Sequence, residues 1–407
     1  MDRRFFSQLL AFGAGLFSTT QIAAKDEAAG NENRADKAEA NTPVSSAASS
    51  GLPVTVSDFV GQAAARLPRA SFDYVTTGSE DEVTLRDNVE AFRRIRVLPP
   101  LLHGVNQTDL STTVLGQKIS MPVLLAPVAA LRMLHPEGVL ASARAATRVG
   151  TICAASSSAL NSVEEIGRSS AGPKWFQVYV PRKRDVAAKL VARAEAASFK
   201  AIVVTVDLGE RKDADLRNRF TVPKDMLLKH LRDVGFSHLT DRNSHEELNA
   251  FNAAAWDISL NVDFFKWLRG VTKLPILLKG VLSPDAAQQA VDLGLNGIIV
   301  SNHGGRRLDG MPASIDVLHE VALAVDGKIE ILMDGGVRRG GDVMKALAFG
   351  AKAVLIGRPQ AWALAAGGEA GVKRVLDILR DELTNAMIAS GCATVDDVNS
   401  GRVASNI

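Results

Sequence analysis

The sequence predicts an α/β protein in which eight parallel strands close into a (β/α)8 barrel behind an N-terminal helical extension. Three observations carry this expectation. Downstream of Pro122, short β-branched or aliphatic runs alternate with small or polar clusters and longer alanine-rich helical patterns, the rhythm of βα units. The runs number eight, the count that closes such a barrel. Glycine–arginine clusters follow the last two runs, where barrels commonly build phosphate sites, whereas an open doubly wound sheet would carry its glycine fingerprint after the first strand.

In order, the expected strands are Val123 to Ala126, Thr151 to Ala155, Trp175 to Tyr179, Ala201 to Val206, Ile276 to Leu278, Gly297 to Val300, Glu330 to Met333 and Ala353 to Ile356. Polar or small residues stand at their ends: Pro127, Val128 and Ala129, then Ser156, Gln177 with Tyr179, Thr205 with Asp207, Lys279, and Ser301 with His303. A barrel places its active site at that end of its strands. "DGGVRRG" (Asp334 to Gly340) follows the seventh run and "IGRP" (Ile356 to Pro359) the eighth. Backbone N–H groups at Gly335, Gly336 and Gly357 can approach phosphate oxygens, with Arg338 or Arg358 supplying charge. Residues Leu52 to Leu102 read as helices, with Thr84, Leu85, Asn88 and Phe92 on one face, placed either to cap the barrel bottom or to lend Tyr74 to its mouth.

The remaining chain divides into three regions. Residues 1–24, "MDRRFFSQLLAFGAGLFSTTQIAA", run from a basic start through a mildly apolar stretch to small residues, the order of an export signal. The Arg3–Arg4 pair suggests the twin-arginine type and a bacterial periplasm; a mitochondrial presequence, leading to the intermembrane space or matrix, is the alternative. The stretch is short and glycine-rich for a membrane span, and no integral membrane segment is expected in the mature chain. Residues 25–50 hold no aromatic residue and read as a disordered tether. Residues 51–407 form the expected catalytic domain, with the barrel starting at about residue 120.

Composition excludes some functions. With 47 basic against 45 acidic side chains, a net +2, the chain shows no electrostatic case for nucleic acid as a partner. Two cysteines, Cys153 and Cys392, match no metal-ligand spacing, so no metal site is expected and both read as buried thiols.

The most specific stretch is "SNHGGRRLDG" (Ser301 to Gly310), supported by "DGGVRRG", "IGRP" and "YVTTGSEDEVTLRDN" (Tyr74 to Asn88). From about Val54 to Val398 the chain resembles the FMN-dependent 2-hydroxy acid oxidases and dehydrogenases, which include glycolate oxidase, lactate oxidase and flavin lactate dehydrogenases. The resemblance implies a TIM barrel, an FMN cofactor, a small L-2-hydroxy acid substrate, O2 or a respiratory carrier as electron acceptor, and a homotetramer. Taking the α-hydrogen from such an acid needs a base, a cation for the carboxylate and a flavin to accept electrons. By resemblance His303 is the base and Asp207 its hydrogen-bond partner, stabilising the imidazolium. Arg306 grips the carboxylate through its planar fork, and Tyr74 and Tyr179, the only tyrosines, place hydroxyls at the substrate. Arg307 is read as structural. Lys279 faces the polar edge of the flavin ring; Ala129, Ser156, Gln177, Thr205 and Ser301 line it; Asp334, Gly335, Gly336, Arg338, Gly357 and Arg358 belong to the phosphate-side motifs.

Three departures stand out against the family pattern. In "VDLGERKDADLRNRF" (Val206 to Phe220) the loop after Asp207 is two residues shorter than in glycolate oxidases, and the position of a substrate-side arginine falls on Lys212, with Arg211 beside it. Lysine lacks the bidentate fork, so either Lys212 acts as a point charge or Arg211 takes the place. Ser158 stands where glycolate oxidases carry tryptophan, which widens the pocket, and Val128 stands where many relatives carry threonine. A substrate larger than glycolate is therefore expected, lactate-like or longer. The segment Thr221 to Ala255 reads as a mobile lid with few regular periods. Two other functions remain open: another FMN barrel, such as an isomerase, which would not need His303, Arg306 and Asp207 together, and a catalytically impaired flavin-binding barrel acting as a sensor or scaffold.

Overall fold

The computed structural model describes residues 51–208 and 220–405. The expected export signal, the tether, and Arg211 and Lys212 lie outside the described residues.

Eight parallel strands form a closed barrel in sequence order, the last pairing with the first. They are preceded by β1 (Ile95–Val97), β2 (Thr112–Val114) and β3 (Gln117–Ile119), so the barrel runs β4 (Val123–Leu125), β5 (Cys153–Ser156), β6 (Lys174–Val178), β7 (Ile202–Thr205), β8 (Ile276–Val281), β9 (Gly297–Val300), β10 (Glu330–Asp334) and β11 (Ala353–Ile356). The predicted barrel is the observed one. Its strands are near-continuous apolar runs because both faces are buried. Side chains alternate between two cores: Leu124, Trp175, Val203, Leu277, Ile299, Leu332 and Leu355 fill the interior, while Val123, Leu125, Phe176, Val204 and Ile298 pack on the surrounding helices.

Two features were not visible as strands in the sequence. The antiparallel pair β2–β3 sends Val114 and Ile119 into the interior core, and Trp175 donates its indole N–H to Gln117 Oε1 at 3.2 Å, which plugs the barrel. β1 pairs antiparallel with β12 (Val403–Ser405), tying the C-terminal segment to the extension. The segment expected as an irregular lid is largely helical, with helices Lys224–Val234 and His245–Ala254; the second opens with a Ser244/Glu247 capping box.

The N-terminal extension comprises α1 (Asp58–Arg66), α2 (Arg69–Thr76) and α3 (Val83–Arg94). Of the two placements left open, the mouth is the observed one for α2 and α3. Thr84, Asn88 and Phe92 are buried as expected. Asn88 exchanges side-chain amide hydrogen bonds with Asn302 behind β9 (2.9 and 2.8 Å), and Asp309 accepts from the N–H groups of Val83 and Thr84 (3.0 and 2.7 Å), capping α3. No described helix is long and apolar enough to cross a membrane.

Candidate active site

The carboxyl ends of the strands surround a cavity of about 1020 Å³, lined by groups from strand ends β4, β6, β7, β8, β10 and β11, by the turn after β9, and by Tyr74 of α2. His303 lies in that turn, with φ of +57°. The left-handed conformation is uncommon for a residue with a Cβ and persists only where surroundings enforce it. Here they do. Asn302 Oδ1 accepts from Gly305 N–H (3.2 Å), Ser79 N–H donates to Gly305 O (2.9 Å), and Arg358 donates to Gly304 O (2.8 Å). Gly305 itself must be glycine, because a Cβ would meet Leu85 N at 2.7 Å and its φ is +68°.

The turn aims the imidazole. His303 Nδ1 lies 2.8 Å from Asp207 Oδ1, which fixes the proton on Nδ1 and leaves Nε2, 3.4 Å from Tyr179 Oη, as the lone-pair nitrogen facing the cavity. Burial, joined by the charges of Lys279 and Arg307, pushes the His303 pKa down to about 4 despite Asp207. The ring is therefore neutral, able to accept a proton, above that pH. Burial works to raise the Asp207 carboxyl, but His303, Lys279 and Arg307 outweigh it and hold it at about 2, an anion ready to stabilise an imidazolium. Asp207 reaches this place because residue 280 is glycine: a Cβ there would stand 2.7 Å from Asp207 Cβ, and its φ is +113°. The glycine lies where β8 slips register against β9, a bulge whose sequence signal is a glycine interrupting an apolar run.

The cavity floor is a connected polar layer. Lys279 is buried and ion-paired with Asp334 (3.1 Å), and it donates to Ser301 Oγ (2.8 Å), which donates to Asp334 (2.6 Å). Burial opposes the Lys279 charge, but Asp334 and Asp207 raise its pKa overall. Ser156 Oγ donates to Gln177 Oε1 (2.7 Å), and Gln177 donates to Thr205 Oγ1 (2.9 Å). Ser156 and Ser301 thus act on the cavity through these partners, while Gln177, Thr205, Lys279 and Asp334 line it together with Pro127, Val128 and Ala129.

The glycine–arginine clusters separate in role. Gly335 and Gly336 have φ of +99° and +83°, and a Cβ on Gly336 would sit 1.9 Å from Asn88 O, so no other residue fits. Arg338 lines the cavity, stands 5.2 Å over the Trp362 ring, and is so buried that its pKa falls to about 10. Arg358 instead spends its guanidinium on the carbonyls of Thr76, Thr77 and Gly304. Its side chain clamps α2 to the His303 turn; its backbone and that of Gly357 open the long helix Arg358–Ala389, whose N-terminus adjoins the cavity. A buried guanidinium, glycine backbone and a helix N-terminus make a donor set that fits a phosphate, and the Lys279–Gln177 floor fits the polar edge of a flavin ring.

Arg306 donates to Thr77 O (3.0 Å) and stands 5.0 Å over the Tyr74 ring, which is stacked on Phe220 at 3.9 Å. Arg307, expected to be structural, also lines the cavity, 5.9 Å over the Tyr179 ring. Ser158 lines it as well. Sequence reasoning missed His230 and Asn252, which the lid segment brings to the cavity wall, and Trp256, which directly follows it.

A barrel that sets an oriented neutral imidazole and an arginine in one cavity with a phosphate-ready helix start is built as a cofactor-dependent oxidoreductase. The comparisons give the family. The model of the FMN-dependent dehydrogenases matches residues 63–405, and the chain belongs to that family. It is similar to human 2-hydroxyacid oxidase 1, 46% identical over 87% of this chain and 97% of that protein. It is likewise similar to the peroxisomal (S)-2-hydroxyacid oxidase of Arabidopsis thaliana, 46% identical over 86% of this chain and 96% of that one. A crystal structure of mandelate oxidase superposes with a TM-score of 0.78 at 37% identity, covering 88% of this chain and 99% of that one.

These relatives correct the expected destination. An exported periplasmic or mitochondrial protein was read from residues 1–24, yet a relative at 46% identity is peroxisomal. The arginine pair and short apolar stretch carry little specificity, since any basic leader can contain them.

Proposed function

We propose that the protein oxidises a small 2-hydroxy acid to the 2-oxo acid, with FMN held in the cavity and His303 as the base. The observation that carries this reading is the His303 imidazole, locked in a left-handed turn, neutral through burial, and backed by Asp207 at 2.8 Å. FMN, when bound, supplies the acceptor for the electron pair that leaves the substrate carbon. Arg338, the Gly335–Gly336 backbone and the start of helix Arg358–Ala389 would hold its phosphate; Lys279, Gln177, Thr205, Ser156 and Ser301 would serve its ring, beside Pro127, Val128 and Ala129.

The chain's own residues do the rest. Arg306 binds the carboxylate of the substrate, which sets its α-carbon in the cavity. The Tyr74 and Tyr179 hydroxyls hydrogen-bond the same end of the molecule. Nε2 of His303 takes the proton, and the Asp207 carboxylate stabilises the imidazolium that results. Lys279 holds positive charge at the cavity floor, where it favours negative charge developing on the acceptor. Arg211 and Lys212 belong to this reading as further cations for the substrate.

The substrate is the L-acid, lactate-like or larger. Ser158 leaves room at the wall, and Tyr179, Trp256 and Phe220 give that wall an aromatic surface suited to a bulky side chain. The acceptor that reoxidises the flavin is O2 or a respiratory carrier, and the protein assembles as a homotetramer. The test is anaerobic bleaching of the purified flavoprotein with a panel of L- and D-2-hydroxy acids, then admission of air. Bleaching by lactate or a longer L-acid ahead of glycolate supports the reading, and the rate of recolouring separates an oxidase from a dehydrogenase. Colour that persists with every acid would overturn it.

A further inference from the structure

Two consecutive arginines leave the His303 turn in different directions. Arg306 reaches the Tyr74 ring at 5.0 Å and commits one N–H to Thr77 O. Arg307 reaches the Tyr179 ring at 5.9 Å, and the Tyr179 hydroxyl lies 3.4 Å from His303 Nε2. Both arginines line the same cavity. The base is therefore flanked by two arginine–tyrosine pairs, one supported by α2 and the other by the end of β6.

We infer that Arg307 is a second substrate-binding guanidinium, which holds the carboxylate of a 2-hydroxy acid from the Tyr179 side while Arg306 holds it from the Tyr74 side. The inference rests on the proposed function for the identity of the substrate. A guanidinium close to His303 opposes formation of an imidazolium, and Arg307 does act on His303 in that sense. A cation is tolerable beside a working base when the ligand that occupies the site brings an anion between them. Bound carboxylate meets that condition: it neutralises the pair of arginines and lets the imidazole take up a proton. The planar fork of each guanidinium suits a carboxylate oxygen pair, and two forks on opposite sides fix the plane of the acid relative to His303.

The test uses the holoenzyme and oxalate, a small dicarboxylate whose binding is followed by perturbation of the flavin absorbance and needs no turnover. Arg307→Gln is expected to weaken oxalate binding about tenfold or more and to raise KM for the 2-hydroxy acid similarly, with smaller loss in kcat. Flavin content and Tm should stay at wild-type values, and Arg307→Lys should recover part of the affinity. An oxalate Kd and a KM within twofold of wild type in Arg307→Gln would overturn the inference, as would a fall in Tm or flavin content that Arg307→Lys fully reverses without any change in oxalate affinity between the three proteins. Wild-type holoenzyme that binds oxalate yet bleaches with no 2-hydroxy acid defeats the proposed function instead, and the oxalate comparison still decides the role of Arg307.

Discussion

His303 and His230 present the same chemistry in two settings. Both stand at the cavity wall, His230 buried and His303 half-buried, and desolvation pushes both imidazoles down to about 4. His303 hangs from a strained turn, with Asp207 behind Nδ1 and Tyr179 ahead of Nε2. His230 rides the middle of the helix Lys224–Val234, and among the described residues burial and the charge of Lys229 act on it while no carboxylate backs the ring. A depressed pKa makes a histidine neutral. Orientation by an anion makes it a base, because the proton it accepts must be stabilised where it lands.

The two settings predict different losses on substitution. His303→Gln keeps the volume and loses the base, so kcat with a 2-hydroxy acid is expected to fall about 10³–10⁴-fold at unchanged flavin content. Retention of even a tenth of the wild-type kcat would mean that another group takes the proton. Asp207→Asn leaves the imidazole in place without its anion, and steady-state turnover is expected to drop on the order of 10²-fold, with KM little changed. His230→Gln removes the ring that no described carboxylate backs and should change kcat by less than about fivefold. A loss approaching that of His303→Gln would mean that the two histidines share the work.

Both rings also report on stability, and the sign follows from the direction of their shifts. Each imidazole has a pKa of about 4 in the folded protein against the ordinary value of 6.5. Between those values the unfolded chain binds a proton that the native one refuses. The stabilising effect of the neutral ring is thus complete above 6.5 and is lost as the pH falls toward 4, at up to about 1.4 kcal/mol per pH unit for each histidine. Tm measured from pH 7 to 4 should decline in wild type and decline less steeply in His230→Gln; identical slopes would contradict the buried neutral ring.

The barrel was legible because each of its strands is an apolar run ended by a polar cluster, and Gly297–Val300 and Ala353–Ile356 match the expected bounds residue for residue. The strands β1, β2, β3 and β12 escaped because three residues are too few to show a period. Helix His245–Ala254 was hidden by its polar composition, although Ser244 and Glu247 carried its capping signature. The motif Ser301–Gly310 pointed to His303 and Arg306, and the structure brings both to one cavity with Asp207, Tyr74, Tyr179 and Lys279. What the sequence could not show is direction. Two adjacent arginines meet different tyrosines, and Arg358 gives its guanidinium to the carbonyls of three residues of other segments while Arg338 gives one N–H to its neighbour Val337 O. Those facts depend on contacts between segments some 50 to about 280 positions apart, such as Thr76 with Arg358.

The most direct measurement is a single-turnover one: wild type, His303→Gln and His230→Gln holoenzymes are mixed anaerobically with a saturating 2-hydroxy acid that bleaches the wild type, and the flavin absorbance is followed. The account predicts that His230→Gln bleaches within about fivefold of the wild-type rate while His303→Gln is slowed about 10³-fold or more. Equal bleaching rates in wild type and His303→Gln would show that the oriented imidazole is not the base.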